Sequence, residues 1–443
     1  MAAQYSEDLA RYVWKYLKGK DEVPPSREVL TELLETLFFA SLRHEESQPT
    51  LCRVALIDRN NPDPHPPEGT FSDRWKSFPL SKDLPLTVSN LVKLSQAVDP
   101  WGSTLAVDVD TNGDLQVWGL IDQSVHFSAF LVKEVSTGPE MPGMFQAVIE
   151  GIGEVSAYKN NVLLGTLKQD SLIINQHRVF LKGPIHSKMM PWLKTYQGRV
   201  STVATVNVPP HDWGPQLEEI WFSTLSRLLI GIHRYRHGGA ILISDEVGDL
   251  NPKYSIEYPR LGDCLVRVGM GEILKEYYSG ESPPDRYTFE VVPSEGTKGA
   301  IATEELGHSV NELKGCLRFL TSLSRVDGLL WFDSTLSLRG FGVEITLQKD
   351  PPDVFFARNS DGTRREPLVP NHFGMRHRSM LRYCGMHGDA IGFVISEDGD
   401  VRAVTKVDDA VLLWDRIRLQ SVRTPKRTSG RDKHAPSLPV EGH

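Results

Sequence analysis

The sequence predicts an α/β protein: a mixed sheet flanked by helices in the C-terminal half, preceded by an α/β and β-rich N-terminal module. Three observations predict it. Apolar residues recur at helical spacing, as at Leu306, Val310, Leu313, Leu317, Leu320 and Leu323. Short all-apolar runs such as Gly239-Ala240-Ile241-Leu242-Ile243 have the length of buried strands. Helical and strand patterns also alternate along the chain, as they do in a sheet covered by helices. At roughly 150 residues per domain, 443 residues suggest about two to three domains.

Leu9, Val13, Tyr16 and Leu17 lie on one face of a first helix, which Pro24-Pro25 ends. Ser26 can cap a second, with the stripe Leu30, Leu33, Leu34, Leu37 and Phe38. A strand from Cys52 to Ile57 and a polar, proline-rich loop from Asn60 to Gly69 follow. Leu91, Leu94 and Val98 begin a helix that leads into two strands, Thr104 to Val109 and Leu115 to Leu120. Asn112-Gly113 between them is a hairpin turn, because both residues tolerate positive φ. From Ala129 to Leu181 short strands alternate with turns at Gly151, Gly153, Asn160-Asn161 and Gln169-Asp170.

Pro209-Pro210 marks the boundary, giving an N-terminal module over 1–208 and a second domain over 209–420. Pro215 suits the first turn of a helix with Leu217, Ile220, Trp221, Leu225, Leu228 and Leu229 inward. The Gly239 strand comes next, then a loop region with Pro283-Pro284, then the Leu306 helix. A hairpin (Gly328 to Phe332, Leu336 to Ile345), a polar insertion (Gln348 to His372) and a short helix near Arg376 follow. The strands Ile391 to Ser396 and Val401 to Val404 enclose a turn at Asp398-Gly399, and a helix from Asp409 closes the domain. Residues 421–443 are basic and polar, the composition of a disordered tail. Leu91 to Ile121 and Leu313 to Ile345 share one order of helix, strand, turn and strand, a weak internal echo.

Hydrophobic residues make up 40% and charged residues 24%, which excludes a fully disordered chain. Acids outnumber bases by 57 to 49, so whole-protein attraction to a nucleic-acid polymer or an anionic membrane is not expected. Any phosphate site must be local. Four cysteines, widely spread in sequence, argue against a disulfide scaffold and fit a reducing compartment. The first residues have no apolar stretch of signal-peptide type, and the most apolar run, Trp221 to Ile232, is too short for a bilayer. The expectation is a cytoplasmic protein.

No Walker loop, dinucleotide-binding fingerprint or nucleophile elbow occurs. Gly374-Met375-Arg376-His377-Arg378 is the most informative cluster. Glycine lets a ligand approach the backbone, and three basic side chains at a helix N-terminus oppose the helix dipole unless an anion sits there. A nucleotide phosphate would be such an anion; a basic turn paired with nearby acids is the alternative. Asp327-Gly328, ahead of a buried hairpin, can hold a divalent cation beside a phosphate or simply accept turn N–H bonds. Glu397 has the same two readings. His372, His377, Cys384 and His387 have no standard zinc spacing, and Cys384 reads better as a buried residue of the Arg376 helix.

Taken in order, Gly239-Ala240-Ile241-Leu242-Ile243, Asp327-Gly328, Gly374-x-Arg376-His377-Arg378, Asp389-Ala390 and Ser396-Glu397 resemble the motifs of the diadenylate cyclase domain family. The resemblance runs from about Gln216 to Trp414. Leu329 and Met375 depart from that family's pattern, which has alanine and threonine there, and the Gln348 to His372 insertion lengthens the Asp327–Arg376 spacing. The resemblance implies condensation of two ATP into cyclic di-AMP with Mg2+ or Mn2+, by a homodimer that is at least transient. Asp327, Gly328 and Glu397 would be catalytic, with Asp327 the metal ligand. Gly239, Ala240, Gly374, Arg376, His377 and Arg378 would bind the nucleotide and its phosphates. A divergent bacterial branch of the family has been proposed to act as ligand sensors, which makes a non-catalytic nucleotide or second-messenger sensor the alternative. The N-terminal module would then be sensory or regulatory, and itself a degenerate repeat of the domain.

Overall fold

The computed structural model describes residues 3–19, 24–62, 75–124, 144–159, 162–174, 177–203, 210–233, 235, 238–279, 295–351, 353–396 and 400–419. The expectations for Glu397, Asp398-Gly399, Asn160-Asn161, Pro209 and the tail 421–443 lie outside them. The chain divides into two compact units, Met1–Asn175 and Gln176–His443. The division falls before the expected 208/209 boundary because a helix between the two points, Pro184–Val203, buries Ile185, Met189, Leu193, Tyr196 and Val200 in the core of the second unit.

In the first unit, α1 (Ser6–Lys18) and α2 (Arg27–Ser41) bury the two apolar stripes read from the sequence. The Ser26 hydroxyl accepts the Val29 N–H at 3.2 Å and caps α2. A small pair, β1 (His44–Glu45) and β2 (Gln48–Pro49), precedes β3 (Cys52–Leu56), β4 (Lys76–Pro85), α3 (Val88–Ser95), β5 (Ser103–Val109) and β6 (Leu115–Asp122). The β5–β6 turn has Gly113 at φ +93°, and Asp110 accepts the N–H groups of Asn112 and Asp114. A meander completes the unit: β7 (Phe145–Gly151), β8 (Glu154–Lys159), β9 (Val162–Lys168) and β10 (Ser171–Ile173). The sheet order is β10-β9-β8-β7-β3-β5-β6-β4, with only β3 and β5 parallel.

The second unit begins with α4 (Pro184–Val203) and α5 (Pro210–His233); α5 starts ahead of Pro215, which lies inside it. Then come β11 (Gly239–Ile243), β12 (Leu250–Tyr258), α6 (Arg260–Ser279), α7 (Glu295–Leu323), β13 (Leu329–Phe332) and β14 (Leu338–Ile345). β12 and α6 occupy much of what the sequence suggested was loop. Within the expected polar insertion, β15 (Val354–Ala357) and β16 (Arg365–Pro367) form a hairpin on the sheet edge. Next are α8 (Met375–Met386), β17 (Ile391–Ile395), β18 (Val401–Val407) and β19 (Ala410–Trp414). The helix expected from Asp409 is instead β19, paired with β18 through a turn in which Asp408 has φ 55°. All five of its residues are buried, so the strand lacks the alternation that marks a half-exposed one.

The nine strands run β12-β14-β13-β11-β17-β18-β19-β15-β16. One face packs on α4 to α7, the other on α8. β11, wholly buried, is parallel to β13 and antiparallel to β17. Asp327, just before β13, and α8, just before β17, are therefore carried by elements next to that central strand.

Candidate functional site

Gly239 and Ala240 begin β11. A side chain at Gly239 would put its Cβ 2.6 Å from Ile232 of α5, so glycine lets the helix close onto the strand. Ala240 is buried on the α8 face of the sheet. Gly328 has φ +121°, and a Cβ there would lie 2.4 Å from the Gly342 carbonyl carbon. Only glycine fits such a crossing, and it fixes where the Asp327 carboxylate leaves the backbone.

Gly374 is different. Its φ of −64° is open to any residue, and nothing lies within 4 Å of a Cβ built there. Packing does not explain this glycine, and the open space beside it admits a ligand. It also leaves α8 without a side-chain N-cap, and no acidic residue occupies the first turn. The opening N–H groups of α8 have no capping side chain, and the first turn carries Arg376 and His377, with Arg378 beside them.

The basic side chains meet acids from elsewhere in the fold. Arg376 Nη2 lies 3.7 Å from Asp327 Oδ1; the two side chains are 40% and 86% exposed, so each can leave the other for a ligand. Arg378 donates to Asp350 at 3.2 Å, and Arg382 donates to the other Asp350 oxygen at 2.6 Å. The Arg382 bond, with Arg378 adding to it, holds the Asp350 carboxyl below its usual range. Arg378 Nε is buried with no hydrogen-bond partner among the described residues.

His377 Nε2 is 3.0 Å from Arg402 Nη1. Because arginine only donates, Nε2 accepts. Arg402 also donates to Ser396 Oγ at 2.6 Å and to Asp415 Oδ1 at 2.7 Å, so β18 and the end of β19 fix the His377 ring through it. Arg402, Asp415 and Asp350 went unnoticed in the sequence. A charge between Val401 and Ala403, within an apolar strand, was the available signal for Arg402.

Asp327 and Arg376 are thus brought together, with His377 and Arg378 on the same helix turn and Gly374 at its cap. Gly239 and Ala240 lie in the adjoining strand. A small hard cation needs only one or two carboxylates when substrate phosphates and water fill its other positions, and an exposed Asp327 fits that demand. Among the described residues, no three His, Cys, Asp or Glu side chains cluster into a ready-made metal cage. Cys384 is a core residue of α8 whose thiol is pushed up to about 12 by burial; His387 contacts Asp249 at 3.1 Å. Among the described residues, no helix is long and apolar enough to cross a membrane.

Residues 20–122, less than a quarter of the chain, match the family model described as probable sensor domain DACNV. Among solved structures, the chain is similar to DacA from Staphylococcus aureus, crystallised as a double mutant. The identity is 14%, the alignment covers 46% of this chain and 89% of that one, and the TM-score is 0.21. No curated protein matches.

Proposed function

We propose that the second unit binds ATP through the N-terminus of α8 and condenses two ATP into cyclic di-AMP, while the first unit senses or regulates. The observation that carries this reading is the uncapped, basic start of α8 with its first arginine 3.7 Å from an exposed aspartate. Helix N–H groups, Arg376 and Arg378 would hold the phosphates and neutralise charge as the α-phosphorus is attacked. His377, held by Arg402 through Nε2, would stand beside the same oxygens. Asp327 would hold the Mg2+ or Mn2+ and accept a hydrogen bond from an attacking 3′-hydroxyl. The metal's contribution is to screen phosphate charge. In the full reaction two 3′-O–P bonds form, two α–β anhydride bonds break, and two pyrophosphates leave with the two hydroxyl protons.

A nucleotide sensor without turnover is the second reading. Leu329 and Met375, which stand where the resembled motifs have smaller or hydroxyl side chains, favour it, as does the sensor-domain match over residues 20–122. Incubation of the chain with ATP and Mg2+ or Mn2+, followed by mass analysis, decides between them. Cyclic di-AMP supports the enzyme; saturable binding without product supports the sensor; neither binding nor product sinks both.

A further inference from the structure

Cys264 and Cys316 stand far apart in the sequence but meet in the fold. Their Sγ atoms lie 3.5 Å apart in the core of the second unit, Cys264 on α6 and Cys316 on α7. The two helices run antiparallel. Along α6 the contacts climb through Cys264, Arg267, Gly271 and Tyr278, while their partners on α7 descend through Cys316, Glu312, Leu306 and Gly299. On the other side of the cysteines, the Tyr258 ring meets the Phe319 ring at 5.1 Å. Contacts on both sides therefore hold the two sulfurs level with each other. A disulfide bond is about 2.0 Å long, so each sulfur has to move by less than about 1 Å to form one.

Both cysteines are buried, but the cover over them is thin. Arg267 Nη2 touches Cys264 Sγ at 3.2 Å and pairs with Glu312 at 2.6 Å; these two side chains are 41% and 29% exposed. Arg260 donates to the other Glu312 oxygen at 3.0 Å. Ion pairs this exposed are weak, so the cover opens readily. Arg267 also sets a positive charge against the sulfur, which favours thiolate, the reactive form. Burial acts the other way and pushes the Cys264 thiol up to about 12, so at neutral pH it rests as a thiol and reacts once the cover opens.

We infer that Cys264 and Cys316 are a modification site, which a hydroperoxide converts to a disulfide tying α6 to α7. The Cys264 thiolate attacks one peroxide oxygen; the O–O bond breaks, hydroxide leaves and a sulfenic acid forms. Cys316 then attacks that sulfur, an S–S bond replaces the S–O bond, and hydroxide leaves with the thiol proton as water. In sum, two thiols and one hydrogen peroxide give one disulfide and two water molecules, with two electrons passing from sulfur to oxygen. Cys52 belongs to the core of the first unit and Cys384 to the opposite face of the second unit's sheet, so both serve as internal controls. Asp327 lies just beyond the end of α7, so the link fastens the helix that leads to it.

The test uses the reduced full chain and hydrogen peroxide. After oxidation the remaining thiols are alkylated in denaturant, and the peptides are mass-mapped without reductant. The expected result is one cross-link, between the peptides holding Cys264 and Cys316, in a product that runs as a single chain on a denaturing gel. Cys52 and Cys384 should be alkylated, and dithiothreitol should reverse the link. The oxidised chain should also melt several degrees above the reduced one, because the link joins positions 52 residues apart and restricts the unfolded chain. Cys316→Ser, treated in the same way, should show no such rise; where it does not fold, Cys316→Ala is read in its place. Four alkylated cysteines after peroxide, sulfinic or sulfonic acid at Cys264 or Cys316 without a link, or a link through Cys52, Cys384 or a second chain instead, overturns the inference. So does a link that leaves the melting temperature unchanged, or a rise in the variant equal to that of wild type.

Discussion

Asp327 and Arg376 make an ion pair that stability hardly needs. Both are exposed, and such pairs contribute about 0–1 kcal/mol. Asp327→Asn should therefore leave the melting temperature nearly unchanged. In an enzyme it should abolish cyclic di-AMP formation while shifting ATP affinity by less than about tenfold. Arg376→Ala and Arg378→Ala remove charge-assisted phosphate contacts worth roughly 1.5–3 kcal/mol each, so ATP affinity should fall by about 10- to 150-fold in calorimetry. Equal product from Asp327→Asn and wild type would end the catalytic role. Gly328 makes the opposite demand. At φ +121° and 2.4 Å from the Gly342 backbone, Gly328→Ala should cost at least about 1–3 kcal/mol in urea denaturation, because neither backbone can yield.

At the scale of elements, α8 is set by Gly392 beneath it and Asp350 beside it. Gly392→Ala would drive a methyl into Met380 and tilt the helix; about 1–3 kcal/mol of stability should go, and ATP affinity with it. Asp350 ties the preceding loop to α8 through Arg382 and Arg378, and its folded-state carboxyl titrates below the unfolded value of about 3.9. Its contribution is present above that value and lost as pH falls through the lower folded one. Asp350→Asn should thus be less stable than wild type at neutral pH, with the gap closing in acid; a gap constant from pH 7 to pH 2 would refute the linkage.

What the sequence disclosed follows from how each element is buried. α1, α2 and α7 show one apolar face and were legible. α6 was not, because Gly262, Gly269 and Gly271 interrupt its pattern. A Cβ at Gly269 would lie 2.5 Å from Tyr196 Oη of α4, one at Gly271 3.1 Å from Leu306 of α7, and one at Gly262 2.7 Å from the Thr335 carbonyl, so these glycines let α6 pack closely rather than form a loop. Pro252 hid β12, which tolerates proline as the edge strand of its sheet. In the site, the motif residues were visible because they sit in runs. Arg402, Asp415 and Asp350 were not, since only the folded sheet and loop bring them to α8.

At the scale of the whole molecule, each unit has its own core, and the charged constellation around Asp327 and Arg376 belongs to the second. If that constellation makes cyclic di-AMP, each nucleotide must donate a 3′-hydroxyl to the other and receive one in return. Two sites must then face each other, and the simplest closed arrangement is a two-fold pair of chains. A monomer that must pair before reacting gives a rate rising as the square of protein concentration below the dissociation constant and linearly above it. Initial rates over a hundredfold dilution series, read beside sedimentation at the same concentrations, test this. The expected result is a steepening at the concentration where the dimer falls apart. A linear dependence from a chain that sediments as a monomer throughout would rule out condensation across a pair, while saturable ATP binding by that same monomer would leave the sensor reading standing.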